Sequence, residues 1–319
     1  MKNNLLRKIR RGVHTTLELM IIYVINAVVT RLSRRGELRL AATVGSALFR
    51  TARRTRRIAM ANLDIVFRDS KSAAEKRDIA KASFVNAAQI LFDYFWFSRD
   101  SKNRIALHCV CDDPVIDEWI KGDFPGFIVT GHIGNWEVSG NFVSGCGRKI
   151  WSVYRPIGTQ KTLDRLSRFR RSTGQQIIPK EGAATGILRA LRNGDLVALV
   201  MDQHSDLREG GIYLDFFGLP ATFSNLCGVI ANRLKVPVCV ACVKYDAERD
   251  KYGVHSYGVL NAEEVTALTP EQITAKIAAL IGKMILDNPT QWLWGYRRWK
   301  RCPADGDLSR YPFYALREW

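Results

Sequence analysis

The spacing of apolar residues is helical in the first third of the chain and then alternates between strand and helix patterns. From Ser72 to Phe97 apolar residues recur three and four positions apart, which predicts one long helix, and Ser72 with Glu75 forms a capping box at its start. Beyond residue 124, short apolar runs predict strands over residues 127–130, 150–155, 175–179, 196–201 and 236–245. Helices are predicted near residues 135–145, 159–173, 182–193, 222–235 and 270–288.

This alternation predicts an α/β fold in which a largely parallel central sheet is flanked by helices. The 319 residues suffice for one catalytic domain, and the sequence shows no internal repeat, low-complexity segment or obvious linker. We therefore expect an N-terminal segment over residues 1–35 and a catalytic domain over residues 36–319. The helical lead-in of that domain covers residues 36–100.

Residues 17–32 of the N-terminal segment form an almost continuously apolar stretch with cations on both sides. Sixteen residues are fewer than the roughly 20 that cross a bilayer. We interpret the stretch as a membrane anchor, either a short span or a helix that lies in the interface, with an ordinary buried helix as the alternative. A cleaved signal peptide is disfavoured, because cations rather than a small-residue cleavage site follow the apolar run.

Charge and cysteine content narrow the choice of partners and compartment. The formal charge is +17, and residues 1–57 hold fourteen Lys or Arg against two Glu, which indicates an anionic partner such as a lipid surface or a nucleic acid. Seven cysteines, an odd number at low density, favour a reducing compartment. Cys239 and Cys242 have C-x-x-C spacing within a predicted buried strand, where residues three apart face opposite sides. We therefore predict no metal site.

The stretch FIVTGHIGNWE, residues 127–137, contains the strongest catalytic candidate. His132 and Glu137 have the spacing H-x-x-x-x-E, but His108 and His204 also precede an acidic residue at that distance. His132 differs because it directly follows a predicted strand, between glycines that permit a tight turn into a helix. Ligands of open α/β sheets bind beyond the carboxyl ends of the strands. We predict that His132 is catalytic and that Glu137 reaches back to its other ring nitrogen.

These residue types suit acyl transfer to a hydroxyl group. A neutral imidazole can take the proton of an acceptor hydroxyl while the oxygen attacks an activated carbonyl, a role worth about 10²- to 10⁴-fold in rate. Glu137 would fix the tautomer of the ring and stabilise the imidazolium that forms. The sequence lacks a G-x-S-x-G motif, which disfavours a covalent triad, so we predict direct transfer without a protein nucleophile.

Five segments occur along the chain in the order TGHIGNWE, VYRP, VMDQ, FFGLPATFSN and NPTQWLWGYRRWK. In this order they resemble the bacterial lipid A biosynthesis acyltransferases of the HtrB/LpxL type. The upstream segment RRIAMANLDIVF also resembles the helical lead-in of that family. The resemblance covers about residues 50–300 and rests on several ordered motifs.

The resemblance implies a glycerolipid acyltransferase-like fold and transfer of a fatty acyl chain from acyl carrier protein to a hydroxyl of a glycolipid precursor. The reaction would take place at the inner face of the cytoplasmic membrane, without a metal or other cofactor. His132 would be the base and Glu137 its partner. Arg155 matches a family arginine that faces an oxyanion or an acceptor phosphate, with a surface cation as the alternative. Asp202 matches the acid of the family's D-Q pair, which would organise the site, with an acidic turn residue as the alternative.

The C-terminal motif combines cations with aromatic residues and admits several interpretations. Arg297 and Arg298 suit lipid phosphates, and the neighbouring aromatics suit a membrane interface. The same composition fits stacking on single-stranded nucleic acid or a buried aromatic cluster. The aromatic residues concerned are Trp292, Trp294, Tyr296 and Trp299.

Further candidates are a lysine and three aromatic side chains. Lys180 lies near a predicted helix start, where it would meet a phosphate or simply be solvated. Trp136, Phe216 and Phe217 are candidates to line an acyl-chain channel, and core packing is the alternative for them.

The function predicted by the sequence is acylation of a lipid A precursor, as a secondary acylation, by an enzyme of the cytoplasmic membrane whose catalytic domain faces the cytoplasm. Its expected partners are acyl carrier protein, an anionic membrane surface and the glycolipid acceptor. The same chemistry on a lysophospholipid, an aminolipid or another glycolipid is the alternative. A membrane-anchored basic protein that binds nucleic acid is a remote alternative, because the sequence has no helix-turn-helix or RNA-binding signature.

Overall fold

Long helices precede the sheet and form the predicted lead-in. The structure is a computed structural model that describes residues 23–154 and 169–318. Residues 23–29 are helical, and they are followed by α1 (Arg34–Thr51), α2 (Arg53–Phe67), α3 (Ala73–Ser98) and α4 (Ser101–His108). Helix α3 begins with the capping box predicted at Ser72 and Glu75. A Cβ atom added at Gly45 of α1 would lie 2.4 Å from Val85 Cα, so this glycine permits close packing of α1 on α3.

The central sheet, as described, has seven strands in the order β1-β9-β8-β2-β5-β3-β4, and a separate hairpin is formed by β6 and β7. Neighbouring strands of the sheet are parallel except for the antiparallel pair β8 and β9. The mostly parallel α/β fold predicted from the sequence is therefore confirmed. The strands are β1 (Cys109–Val110), β2 (Gly126–Thr130), β3 (Ile150–Tyr154), β4 (Gln176–Pro179), β5 (Leu196–Val200), β6 (Gly211–Phe216), β7 (Leu219–Ser224), β8 (Val238–Asp246) and β9 (Lys251–Leu260).

Further helices lie between the strands along the chain and after β9, the last strand of the central sheet. They are α5 (Pro114–Lys121), α6 (Trp136–Gly145), α7 (Ala183–Arg192), α8 (Leu226–Leu234), α9 (Ala262–Ala267) and α10 (Pro270–Asp287). Helix α10 begins with a capping box from Thr269 and Gln272, as predicted. Two short strands, β10 (Arg301–Cys302) and β11 (Leu316–Arg317), pair near the C-terminus.

The core has two layers, one on each face of the sheet. Alternate residues of β8 belong to different core clusters, because this strand is buried on both sides. Cys239 packs in one cluster and Cys242 in the other, which confirms that the C-x-x-C pair faces opposite sides.

The structure differs from the sequence-based assignment at the start of α8, and it contains strands β6, β7 and β9, which were not predicted. Residues 222–224 belong to the hairpin strand β7, so α8 begins only at Leu226 rather than near residue 222. His108 is the last residue of α4, and β1 begins at the next residue, Cys109. The helix predicted over residues 159–173 lies largely outside the described residues.

Of the apolar stretch predicted as a membrane anchor, residues 17–22 lie outside the described part of the chain, and residues 23–29 form a helix. Among the residues that are described, no helix has both the length and the apolar character needed to cross a bilayer. Arg34 and Arg35, which the sequence assigned to the N-terminal segment, form the first turn of α1.

Candidate active site

The candidate site begins at the turn between β2 and α6. Gly134 has φ +57°, and a Cβ atom added there would lie 1.9 Å from the carbonyl oxygen of Val243, so only glycine fits. The next residue, Asn135, caps α6 by accepting a hydrogen bond from the Val138 N–H at 3.2 Å. His132 therefore lies in a sharp turn at the carboxyl end of a buried strand, as predicted.

His132 pairs with Asp202 because their strands are neighbours in the sheet. Strands β2 and β5 are parallel, and their register places Thr130 opposite Val200, so both residues lie two positions beyond a paired position. His132 Nδ1 lies 2.7 Å from Asp202 Oδ1, and the backbone N–H of His132 donates to Asp202 Oδ2 at 2.9 Å. One carboxyl group thus fixes both the ring and the backbone of His132.

Asp202 is buried and fully engaged in hydrogen bonds. Its side chain is 2% exposed, and it also accepts a hydrogen bond of 2.6 Å from Trp292 Nε1. Burial opposes ionisation, but the His132 ring and the hydrogen bonds from His132 and Trp292 outweigh it and hold the pKa of Asp202 below its usual value. Asp202 is therefore a carboxylate that can stabilise positive charge on the imidazole.

The contacts of His132 assign its tautomer. Because the Asp202 carboxylate can only accept, Nδ1 of His132 carries the proton, and the lone pair lies on Nε2. Gln203 Nε2 lies 3.2 Å from His132 Nε2, so the Gln203 amide donates to that lone pair. An acceptor hydroxyl that replaced this amide would meet the basic atom of the ring.

Glu137 contacts a different partner from the one that the sequence predicted. Both of its carboxylate oxygens accept from Arg170, at 2.9 Å from Nε and 2.7 Å from Nη2. The ring position expected for Glu137 is occupied by Asp202. The predicted hydrogen bond from Glu137 to His132 is therefore corrected, because Glu137 lies in the first turn of α6 and is held there by a bidentate arginine.

The C-terminal motif, residues 288–300, forms hydrogen bonds to the backbone of the His132 turn. The Leu293 N–H donates to the His132 carbonyl at 3.3 Å, and the Gly134 N–H donates to the Gln291 carbonyl at 3.0 Å. Trp292, Trp294 and Trp299 are all buried, so the interpretation of these tryptophans as interfacial aromatics is wrong.

Arg298 is also buried, which corrects its assignment to lipid phosphates. Its side chain is 0% exposed and donates to the Thr222 carbonyl at 2.8 Å, with its guanidinium 4.1 Å from the ring centre of Phe223. Burial lowers the pKa of Arg298 to about 10. A lipid phosphate cannot reach a side chain that is enclosed in this way, whereas Arg297 beside it is partly exposed.

Of the three acyl-channel candidates, Trp136 contacts His132, whereas Phe216 and Phe217 pack against other aromatic residues. The Trp136 ring contacts the His132 ring edge-on, with centroids 4.6 Å apart. Phe216 is buried against Trp299, Phe217 and Phe223, and Phe217 is partly buried. Trp136 is thus the acyl-channel candidate that contacts His132, and Phe216 is a core residue.

Lys180 forms an exposed ion pair of 2.6 Å with Glu209. It follows β4, which is three strands away from β2 in the sheet, a separation of roughly 14 Å. Its assignment to a phosphate stays a prediction. Arg155, the other predicted anion ligand, lies outside the described residues.

Other histidines have structural contacts of their own. His108 packs edge-on against Trp96, with ring centroids 5.1 Å apart. His204 Nδ1 lies 2.8 Å from Thr222 Oγ1, and burial together with Lys300 and Arg298 lowers the pKa of His204 to about 4. Within the described ranges no group of three or more His, Cys, Asp or Glu side chains is arranged to hold a metal ion.

Sequence reasoning missed three contacts of the site. Arg170, Gln203 and Trp292 each contact Glu137, His132 or Asp202 directly, and none was assigned that role. The signal available for Gln203 was its position directly after Asp202. The indole of Trp292 and the guanidinium of Arg170 carry no local pattern that distinguishes them from other tryptophans and arginines.

A family sequence model and two individual relatives indicate the same protein family. The sequence model of the family described as bacterial lipid A biosynthesis acyltransferase matches residues 8–301. The chain is 24% identical over 264 residues to the lipid A biosynthesis palmitoleoyltransferase of Escherichia coli K12. The aligned region covers 81% of this chain and 83% of that protein. It has the same identity and coverage with the lipid A biosynthesis acyltransferase of Shigella flexneri.

Proposed function

Because the chain belongs to the family of bacterial lipid A biosynthesis acyltransferases, we propose that it transfers a fatty acyl chain from acyl carrier protein to a hydroxyl of a lipid A precursor. The chain is an acyltransferase, and the donor, the acceptor and the acylated position are the proposal. The observation that carries it is the contact of His132 with Asp202 at the carboxyl ends of neighbouring strands. This arrangement leaves Nε2 of His132 as a base for a hydroxyl.

The proposed reaction is direct transfer in two steps. His132 Nε2 takes the proton of the acceptor hydroxyl as its oxygen attacks the thioester carbonyl, and Asp202 stabilises the imidazolium through Nδ1. The tetrahedral intermediate then expels the thiolate of the carrier, which receives the proton from His132. The ester bond forms, the thioester bond breaks, and the histidine returns to its neutral state.

Glu137 keeps a place in this proposal, but it acts through Arg170. The bidentate pair holds a guanidinium against the first turn of α6, the helix that follows the His132 turn. Preorganised cations of this kind stabilise negative charge on a carbonyl oxygen in the transition state. Arg155 remains a second candidate for that role from the family resemblance.

The basic residues suit the proposed partners. Acyl carrier proteins are acidic and the cytoplasmic leaflet is anionic, so the cations of residues 1–57 would favour both, at about 1 kcal/mol for each cation near the lipid surface. We therefore propose that the protein works at the cytoplasmic membrane with its catalytic domain on the cytoplasmic side and its N-terminal segment as the anchor.

The test is mass spectrometry of lipids after the purified protein meets acylated carrier protein and a panel of acceptors. A lipid A precursor should gain the mass of one acyl chain with wild type and with the control variant His255→Ala, and not with His132→Ala. A gain confined to a lysophospholipid, an aminolipid or another glycolipid would replace the acceptor. Absence of any His132-dependent gain, with salt-sensitive binding to nucleic acid instead, would overturn the proposal in favour of the binding alternative.

A further inference from the structure

A cluster of ionisable side chains is buried about Arg34, at the start of α1. Arg34 Nη1 donates to both Asp93 of α3 and Glu37, the latter at 2.7 Å. Side chains of the three residues are between 0% and 6% exposed. Four aromatic rings surround the guanidinium at 5.2–5.7 Å from its carbon, and they belong to Trp96, Phe97, Tyr245 and Tyr252.

The cluster continues from Asp93 to the turn of the active site. Asp93 Oδ2 accepts hydrogen bonds from Asn135 Nδ2, at 2.9 Å, and from the hydroxyl of Tyr252. Gln89 supports that hydroxyl through a hydrogen bond of 2.8 Å. Asn135 is 0% exposed, so water does not compete for its amide. A continuous chain of contacts thus runs from Arg34 through Asp93 to Asn135.

Asn135 is the residue that fixes where the His132 turn ends and α6 begins. Its amide oxygen accepts from the Val138 N–H, its backbone N–H donates to the Val243 carbonyl at 2.8 Å, and its amide nitrogen donates to Asp93. These three contacts hold one residue against α6, β8 and α3 together. His132 lies three residues before it, on the same turn.

The charges of the cluster are an inefficient means of stabilising the fold. Removing a buried pair in favour of apolar residues is often neutral or stabilising, because desolvation offsets the attraction. Two nitrogens of Arg34 and one oxygen of Glu37 are also buried without a hydrogen-bond partner. A function in orienting the turn explains why charged groups occupy this position.

We propose that Arg34 and Asp93 are positioning residues for acyl transfer, which act by holding Asn135 and, through it, the turn that carries His132. The inference rests on the proposed function of His132. It links the first residue of α1 to the His132 turn, although Arg34 contacts neither His132 nor Asp202 in the described contacts. Its expected signature is a loss of turnover without a loss of substrate affinity.

The decisive variant is Asn135→Ser in the full-length protein. Serine keeps a hydroxyl that can cap α6, but its side chain is too short to donate to Asp93. The matched control is Asn232→Ser, because Asn232 also joins separate elements, with amide hydrogen bonds to the carbonyls of Val265 and Leu268. Asp93→Asn is the second variant, since it keeps the volume and removes the charge that Arg34 faces.

The assay is steady-state acyl transfer with acyl carrier protein and acceptor lipid, alongside thermal unfolding of every variant. We expect kcat of Asn135→Ser to fall at least about 10-fold with KM for the donor unchanged, because a small displacement of a catalytic group has effects of this size. Asp93→Asn should show the same pattern, while Asn232→Ser should lose stability and keep kcat.

Including His132→Ala in the same series distinguishes a failure of this inference from a failure of the proposed function. If His132→Ala abolishes transfer and Asn135→Ser keeps the wild-type kcat, this inference is overturned and the proposed function stands. A fall in kcat that Asn232→Ser shares, in proportion to its loss of stability, would also overturn it. If His132→Ala retains transfer, the proposed function itself fails.

Discussion

Replacing Asp202 by Asn should remove most of the catalytic rate while preserving the shape of the site. Asp202 accepts hydrogen bonds from His132 Nδ1, the His132 backbone and Trp292 Nε1. An asparagine amide that turned its nitrogen toward Nδ1 would force the proton onto Nε2, which would then no longer act as a base. An amide that turned its oxygen there would keep the tautomer but supply no charge to the imidazolium.

The size of the effect follows from these two losses. The equivalent change in an aspartate–histidine pair elsewhere reduces kcat by about 10⁴-fold, mainly through the wrong tautomer. We expect a fall of about 10³- to 10⁴-fold, which corresponds to about 4–5.5 kcal/mol of activation free energy. An asparagine side chain has one accepting oxygen where the carboxylate has two, so at least one of the three donors loses its acceptor or must change its protonation, and the free energy of unfolding should fall by about 1–3 kcal/mol.

Asp195→Asn is a matched control at the opposite end of strand β5. Asp195 is buried and accepts a hydrogen bond of 2.8 Å from Trp151 Nε1, as Asp202 does from Trp292. It also pairs with Lys149 rather than with a histidine. Acyl transfer should be followed under single-turnover conditions by the mass of the acceptor lipid, with unfolding measured in parallel. A single-turnover rate constant for Asp202→Asn within about 10-fold of wild type, or an equal loss in Asp195→Asn, would show that the Asp202 carboxylate does not assist His132.

Three further predictions concern charged side chains near the site and in the core. Glu137→Gln and Arg170→Lys should each lower kcat by about 10- to 100-fold. Because the two side chains act as one unit, the double variant should have the same kcat as the slower of the two single variants, and additive losses in steady-state kinetics would contradict this. Burial raises the pKa of Glu37 to about 9; the nearby Asp93 carboxylate adds to this shift, and Arg34 opposes it. The folded protein therefore keeps a proton on Glu37 that the unfolded chain releases above about pH 4.5. The free energy of unfolding should therefore fall as the pH rises from about 5 to 9, by at most about 1.4 kcal/mol per pH unit from Glu37. In urea unfolding, Glu37→Gln should lack this part of the pH dependence, and the same pH dependence in both proteins would argue against a protonated Glu37. Arg298→Met should leave binding to anionic vesicles unchanged in co-sedimentation, because the side chain is enclosed, and a clear loss of binding would show that the segment opens at the lipid surface.

The elements that sequence reasoning identified correctly have strong local signals. Helix α3 was predicted from its apolar spacing and its capping box, and the His132 turn from glycines directly after an apolar strand. The alternation of strands and helices sufficed for the fold class. The helix and the turn are each encoded within one short run of consecutive residues, and the alternation is a sum of such local patterns, so no knowledge of distant contacts was needed.

The partner of His132 could not be identified in the same way. Glu137 is near His132 in sequence, whereas Asp202 is 70 residues away and reaches it only because β5 lies beside β2. The order of strands in a sheet depends on packing of the whole domain and not on local spacing. The burial of Arg298 has the same origin, since a basic and aromatic segment looks identical in sequence at a membrane surface and inside a core.

The central claim is that His132 moves an acyl chain directly to a lipid hydroxyl. The most direct measurement mixes stoichiometric protein, acylated carrier protein and lipid A precursor, stops the reaction within one turnover, and determines the masses of both lipid and protein. We expect one added acyl chain on the lipid with wild type, none with His132→Ala, and no mass gain on the protein in either case. A lipid product made equally well by His132→Ala, or an acyl chain attached to the protein, would contradict it.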